Sequence, residues 1–274
     1  MGKIILLNTP IGNLGDLTPR VREAFEKGQY FAAEDTRVFK ELLNHLGITL
    51  EGKQVYSFHD QSEGFQLDKM LEIASKGDLY LASDAGSPII SDPAYPLVKA
   101  AYEKGIKVES YSGVSSPIMA LELSGLPPIP FQFHGFLPRE SGKRVRAFEK
   151  CAQGTHIFFD APTRIEDTLE DLAKACPEAE VAVVRELSKK FEQVLRFQAQ
   201  DWEKHKEEAV FRGEFILLFH KAQEEVLGPH KEIKALAEEV LVQGSSPKMV
   251  AKLLSLILDR PTKDLYNELL AAKK

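Results

Sequence analysis

Short apolar runs alternate with longer amphipathic stretches along most of the chain. Lys3–Leu7 is a β-prone apolar run. Thr18–Lys27 then carries helical spacing, with Thr18 as a plausible N-cap, Pro19 at the first helical position and Gly28 at the end. The same alternation predicts strands at Tyr30–Ala33, Val55–Phe58, Leu79–Ser83 and Lys107–Tyr111. Between and after them it predicts helices at Thr36–Leu46, Gly64–Lys76, Tyr95–Lys104 and Ser116–Leu123. Repeated strand–helix units imply an α/β fold with a mostly parallel sheet and helices on its faces.

The pattern breaks at Ser124-Gly125-Leu126-Pro127-Pro128-Ile129-Pro130, whose prolines and glycine read as a linker. A second α/β unit follows, with strands at Thr155–Asp160 and Glu180–Arg185 around a helix at Arg164–Ala175. Gln193–Phe197 and Glu214–His220 add two more strands, expected to be partly antiparallel. After Gly228-Pro229 the pattern is helical only, over Glu232–Val242, Ser246–Asp259 and Thr262–Ala271. The expected division is therefore an α/β domain at 1–123, a linker at 124–130, a second α/β domain at 131–227 and a helical tail at 228–274.

Composition narrows the class. The chain has 274 residues, 43% hydrophobic and 28% charged, which suits two globular domains. No segment reaches the roughly 18 apolar residues of a membrane helix, and the N-terminus has no signal-peptide pattern. Cys151 and Cys176 stand in no metal-binding spacing and read as reduced structural thiols of a cytoplasmic protein. The seven histidines form no metal-ligand motif, so no metal is expected. A net charge of −6 does not favour indiscriminate nucleic-acid binding, so any such partner needs a local basic track.

Three loops at strand ends carry the candidate chemistry. Asn8–Asp16 follows the first strand but is neither a dinucleotide fingerprint nor a phosphate loop. Ser83-Asp84-Ala85-Gly86-Ser87-Pro88-Ile89-Ile90-Ser91-Asp92-Pro93 follows the fourth, and its small residues would let a ligand approach the backbone. Asp84 and Asp92 could accept hydrogen bonds there. Tyr111-Ser112-Gly113-Val114-Ser115-Ser116 ends the fifth. Each is readable as a simple turn; the three together suggest one cleft, at the edge where α/β sheets bind ligands.

Glu34, Asp35 and Arg37 end the second strand on the same edge. Asp35 could orient or deprotonate an acceptor and Arg37 could grip a phosphate; alternatively Asp35 caps the next helix and Arg37 is solvated. His59-Asp60 is a second candidate pair, or a surface histidine with its neighbour. Arg139, Lys143, Arg144 and Arg146 form the densest basic cluster, and Arg185, Lys189 and Lys190 another. They could track phosphates or be ordinary solvated charge.

Several of these segments carry a family resemblance. Thr9-Pro10-Ile11-Gly12-Asn13-Leu14-Gly15-Asp16, Ala33-Glu34-Asp35-Thr36-Arg37 and Ser83–Pro93 resemble the ribosomal RNA methyltransferase I family of the tetrapyrrole-methylase superfamily. So do Ser124-Gly125-Leu126-Pro127, Gly135-Phe136-Leu137-Pro138-Arg139, Arg185-Glu186-Leu187-Ser188-Lys189, Arg212-Gly213-Glu214-Phe215 and Lys263-Asp264-Leu265-Tyr266. The chain departs from that family at Tyr111–Ser116, at Asp160-Ala161-Pro162-Thr163-Arg164 and at Leu7-Asn8.

The resemblance implies two α/β domains of the class III methyltransferase type with a helical appendage. It also implies S-adenosylmethionine as cofactor and methylation of a cytidine 2′-hydroxyl in small-subunit (16S) ribosomal RNA, free or in the assembled subunit, by a homodimer. The cofactor contacts it implies are Pro10, Asp84, Ala85, Gly86, Ser87, Pro88, Ile89, Ser115 and Ser116, with Pro162, Glu186 and Gly213 closing the site from the second domain. Methylation of a corrinoid or porphyrin precursor, and a non-catalytic RNA-binding assembly factor, are the alternatives. The Ala33–Arg37 signature and the tail weigh against the first, and the intact cofactor loop weighs against the second.

Overall fold

Strand β1 (Lys3–Leu7) is apolar at every position after Lys3 because both of its faces are covered. Ile4 and Leu6 belong to one core cluster, Ile5 and Leu7 to the cluster on the opposite face, and all four are buried. In the computed structural model the described residues are 2–58, 64–90, 94–222, 236–237, 239–240, 244–258 and 260–272. They fall in two compact units, Met1–Ala222 and Gln223–Lys274.

The first unit begins with a five-stranded parallel sheet. Its strands are β1, β2 (Tyr30–Ala33), β3 (Gln54–Ser57), β4 (Leu79–Ala82) and β5 (Lys107–Tyr111), in the order β3-β2-β4-β1-β5. Helices α1 (Pro19–Lys27), α2 (Thr36–His45), α3 (Phe65–Lys76) and α4 (Tyr95–Glu103) connect them. Thr18 caps α1 by accepting the Val21 N–H, with Pro19 at the first position, as the sequence predicts.

Helix α5 (Ser116–Ser124) is the first departure from the expected division. Its Ala120 and Leu121, with Leu126 beyond it, pack against Ile157, Ala182, Val184 and Leu218 of the second sheet. Met1–Ala222 is one compact unit across the segment read as a linker. The proline-rich composition marked a turn, but Leu126 is buried, which fastens that turn to the second half.

The second sheet has the order β6-β7-β10-β8-β9. Its strands are β6 (Phe131–Phe136), β7 (Gly154–Asp160), β8 (Glu180–Arg185), β9 (Gln193–Gln198) and β10 (Phe215–Lys221). Only β6 and β7 run parallel; β7, β10, β8 and β9 pair antiparallel in turn. Strand β6 and helix α6 (Ser141–Glu149) were not predicted. The strand follows prolines and carries a glycine, and α6 holds its arginines where an apolar stripe would be sought. Helix α7 (Ile165–Ala175) covers the same face as α6, over a core that includes Phe148, Leu169, Leu172, Phe158 and Trp202. Trp202 opens the short helix α8 (Trp202–His205).

In the second unit α9 (Pro247–Leu258) and α10 (Thr262–Ala272) bury Val250, Ala251, Leu254, Leu265 and Leu269 together with Ala237. Most of the helix expected at Glu232–Val242, like His59-Asp60 and Ser91-Asp92-Pro93, lies outside the described residues.

Candidate active site

All five strands of the first sheet end on one edge, and the loops after β1, β2, β4 and β5 are sewn together there. Thr9 and Gly86 form an antiparallel bridge, Thr9 N–H to Gly86 O at 2.9 Å and Gly86 N–H to Thr9 O at 3.1 Å. Ser83 Oγ donates to Gly86 O at 3.1 Å, and Thr9 Oγ1 donates to Ser83 O at 3.2 Å. Gly86 has φ +79°, which favours glycine, and a Cβ there would lie 3.3 Å from Ile11 Cγ2, a tight contact. Asp84 Oδ1 accepts the Asp35 N–H at 3.0 Å, which ties the end of β2 to the same loop. Asn8 Nδ2 donates to Tyr111 O at 2.7 Å and joins the β5 loop.

The second half closes over this edge. The turn after β8 holds Glu186 (φ 51°) and Ser188 (φ 65°) in left-handed conformations rare for such residues. Ser188 Oγ donates to Asp16 Oδ2 at 2.7 Å. A Cβ on Gly12 would lie 2.4 Å from Lys189 Cγ, so the two loops are in direct contact. Glu186 Oε1 accepts the Glu214 N–H at 2.9 Å and meets Lys189 Nζ at 3.2 Å. Hydrogen bonding by the Glu214 amide, with help from Lys189, holds the Glu186 carboxyl below its ordinary range. Gly213 (φ +95°) leaves room for that carboxylate, since its Cβ would fall on it.

Two adjoining cavities lie between the halves. One, of about 250 Å³, is mostly apolar and is lined by Ile11, Ala85, Ser116, Phe136, Phe159, Asp160, Val184, Leu187 and Glu214–Ile216. The other, of about 270 Å³, is polar and is lined by Glu34, Ala85–Ser87, Ile90, Ser115–Pro117, Phe136 and Phe159. Together they match the size of a nucleoside-sized ligand site with an apolar end and a polar end. Asp160 is buried; it accepts the Ala161 N–H at 2.8 Å and pairs with Arg164 at 2.6 Å, which fixes the wall of the apolar end.

The expected site residues divide accordingly. Ala85, Gly86, Ser87, Ser115 and Ser116 line the cavities, and Glu34 lines the polar one. Pro10 and Pro162 are not among the lining residues; Ile11, Phe159 and Asp160 take those places. Pro88 is buried in a small crevice with Phe58, and Ile89 packs into the core of the first sheet. Glu186 and Gly213 support the wall formed by Leu187 and Glu214. Apart from Phe136, which has no expected cofactor contact near it, the lining residues of the second half lie within three positions of those expected, at or beside the ends of β7, β8 and β10.

Asp35 is the N-cap of α2, its Oδ1 accepting the Arg37 N–H at 2.8 Å. It also grips the Arg37 guanidinium at 2.6 Å. The Arg37 guanidinium and amide pull its pKa down to about 2, too low for an effective base at neutral pH. Arg37 itself is 89% exposed and open to an anion from its outer side.

Arg144 must be removed from the candidate phosphate track. It is buried, donates Nε to Asp171 Oδ2 at 2.9 Å and Nη1 to Arg139 O at 2.6 Å. Arg139, Lys143 and Arg146 are exposed. In the second cluster Arg185 donates to the carbonyls of Arg212 and Phe191, and Lys189 is held by Glu186 and Glu214. Lys190 lies over the Phe191 ring at 5.5 Å.

Away from the cleft, His134, Cys151 and His156 place donor atoms within 4.8 Å of one another. His156 Nε2 donates to Ala152 O at 2.8 Å, which leaves Nδ1 to accept from His134 Nε2 at 2.9 Å. Burial pushes the Cys151 thiol up to about 11, so it stays protonated. Internal hydrogen bonds thus account for these groups.

The model of the tetrapyrrole (corrin/porphyrin) methylases matches residues 3–203. A ribosomal RNA small subunit methyltransferase I from Halalkalibacterium halodurans is 35% identical, over 97% of this chain and 94% of its own length. Among solved structures, the methyltransferase CobJ superposes with a TM-score of 0.57 at 17% identity, over 84% of this chain and 98% of that one. The uroporphyrin-III C-methyl transferase of Thermus thermophilus, solved with S-adenyl homocysteine, superposes with a TM-score of 0.51 at 16% identity, over 80% and 98%. These last two are similar in fold.

Proposed function

Because the chain belongs to the tetrapyrrole methylase family, in its ribosomal RNA small subunit methyltransferase I branch, we propose that it methylates the 2′-hydroxyl of a cytidine in small-subunit ribosomal RNA. The donor is S-adenosylmethionine, which supplies a methyl group already activated on a sulfonium. The observation that carries the proposal is the two-part cleft, whose apolar and polar ends share Ala85, Ser116, Phe136 and Phe159.

The cleft fits such a donor. The apolar end, between Ile11, Val184, Leu187 and Ile216, suits an adenosine ring. The loop at Ala85–Ser87 offers backbone groups without side-chain bulk, and the start of α5 at Ser115-Ser116 offers a helix dipole to a carboxylate. The protein's task is alignment and exclusion of water. Glu34 is the carboxylate among the described residues lining the polar end, and it would orient the acceptor hydroxyl and take its proton. Asp35 holds Arg37, and the exposed face of Arg37 receives a phosphate. The loops of the first sheet would mainly carry the donor, and the second sheet of the same compact unit would close over it. Arg139, Lys143 and Arg146 add cations for the RNA backbone, and a homodimer would join two such surfaces. An enzyme with a ribosomal substrate would work in the cytoplasm.

Mapping rRNA modifications by mass in a deletion strain tests this. Loss of one 2′-O-methylcytidine, restored by the wild-type gene and not by Glu34→Gln, is expected. An unchanged modification map would rule the proposal out.

A further inference from the structure

Strand β6, the edge strand of the second sheet, contains an irregularity in its pairing with β7. Phe131, Gln132 and Phe133 pair with Thr155, His156 and Ile157 in register. The next pair is Phe136 with Phe159, so three steps on β6 oppose two on β7. One extra residue has been inserted, and Gly135 within it adopts φ +70°. This is a β-bulge, a device that re-aims a side chain and often lies beside an active site.

Its consequence is readable from the aromatic contacts. Side chains alternate along a strand, so Phe136 would fall on the face of Gln132 and His134. His134 stacks on Phe158 at 4.5 Å, in the core face. Phe136 instead joins Phe133 on the other face, and both meet the Phe159 ring edge-on, at 5.4 and 4.9 Å. The bulge has moved a phenylalanine from one side of the sheet to the other. There it is not buried: Phe136 is 65% exposed and lines both cavities of the cleft. The Phe159 contact fixes the ring while leaving most of its surface to solvent.

Resting on the function proposed above, we propose that Phe136 is the platform on which the base of the acceptor nucleotide stacks. The acceptor ribose must reach the Glu34 end of the cavity that Phe136 lines, and its base is one bond away. Enzymes that act on single nucleotides take the base out of its stack, and an open aromatic ring offers replacement stacking. Arg139, exposed three residues further on, is placed for the adjoining phosphate. Stacking is tolerant of base identity, so Phe136 positions the nucleotide rather than reading it.

The test uses the full-length enzyme, purified small ribosomal subunits and labelled S-adenosylmethionine, with Phe136→Ala, Phe136→Trp and Gly135→Val. Donor affinity is measured separately by calorimetry. Phe136→Ala should raise the KM for subunits roughly 10- to 100-fold, the worth of one base stack, with donor affinity within about twofold of wild type. Phe136→Trp should keep the wild-type KM. Gly135→Val, which disfavours the bulge, should reproduce the alanine effect. An unchanged KM in Phe136→Ala would overturn the inference and leave the methyltransferase reading standing. So would an equal loss of donor affinity, which would assign the ring to the donor. If the wild-type enzyme labels no RNA, both fall together.

Discussion

The carboxylate of Asp84 accepts the backbone N–H of Asp35 at 3.0 Å, so the loop after β4 holds the end of β2 in place. Asp84, which precedes the cavity-lining Ala85, therefore holds the two loops together. Asp84→Ala should loosen Glu34 as well as the donor loop, and lower kcat on rRNA roughly 10- to 100-fold, the range of a hydrogen bond to a charged group. Asp84→Asn keeps an oxygen acceptor and should recover most of that loss. Equal activity in Asp84→Ala and wild type would contradict this role.

Glu34 and Asp35 are adjacent yet differ in environment. Asp35 has its folded pKa lowered from 3.8 to about 2 by Arg37. A depressed carboxyl contributes stability that is present above about pH 4 and lost as pH falls through about 2. Its titration should move back toward 3.8 in Arg37→Ala, read by carbon NMR of the side chain. The pH–rate profile near neutrality should carry no step from Asp35, and Glu34→Gln should lower kcat more than Asp35→Asn. The reverse order would make Asp35 the acting carboxylate.

The cations past β6 separate into two kinds. Arg144 and Asp171 form an ion pair with both side chains 5% exposed. Arg144→Ala leaves the buried Asp171 carboxylate with only the Ser141 hydroxyl at 2.8 Å and Lys174 at 4.0 Å, and should cost up to about 3–5 kcal/mol in urea unfolding. Arg139→Ala with Arg146→Ala should leave stability within about 0.5 kcal/mol. That double variant should flatten the slope of log affinity against log salt by about 0.7 for every phosphate it no longer neutralises on single-stranded RNA. A double variant with an unchanged salt slope would remove these residues from the RNA track.

Much of this arrangement is legible in the sequence, and the limits have physical causes. The first sheet could be read strand by strand because parallel strands buried on both faces are continuous apolar runs, and because Thr18-Pro19 and Asp35 are strong helix starts. The Thr9 and Gly86 loops stood out because small residues at strand ends have few other uses. Strand β6 escaped detection because its bulge breaks the alternation on which strand recognition depends, and Phe136 was hidden with it. Arg144 was counted with its neighbours because charge clustering carries no information about burial. Its partner Asp171 lies on a different helix.

Gly86 offers a direct check on the donor side. With φ +79° and Ile11 at 3.3 Å, Gly86→Val would strain the backbone and displace the Thr9 bridge. Calorimetry should then show no measurable S-adenosylmethionine binding, while far-UV circular dichroism stays close to wild type. Wild-type affinity in this variant would move the donor out of the cleft.

Methyl transfer to the small subunit can be followed directly. Purified small subunits from a strain lacking the gene are incubated with the full-length enzyme and methyl-labelled S-adenosylmethionine, and the rRNA is digested to nucleosides. All of the label is expected in 2′-O-methylcytidine, and none in subunits already carrying the modification. Label in a base methyl group, or transfer only to a tetrapyrrole offered in competition, would contradict the account.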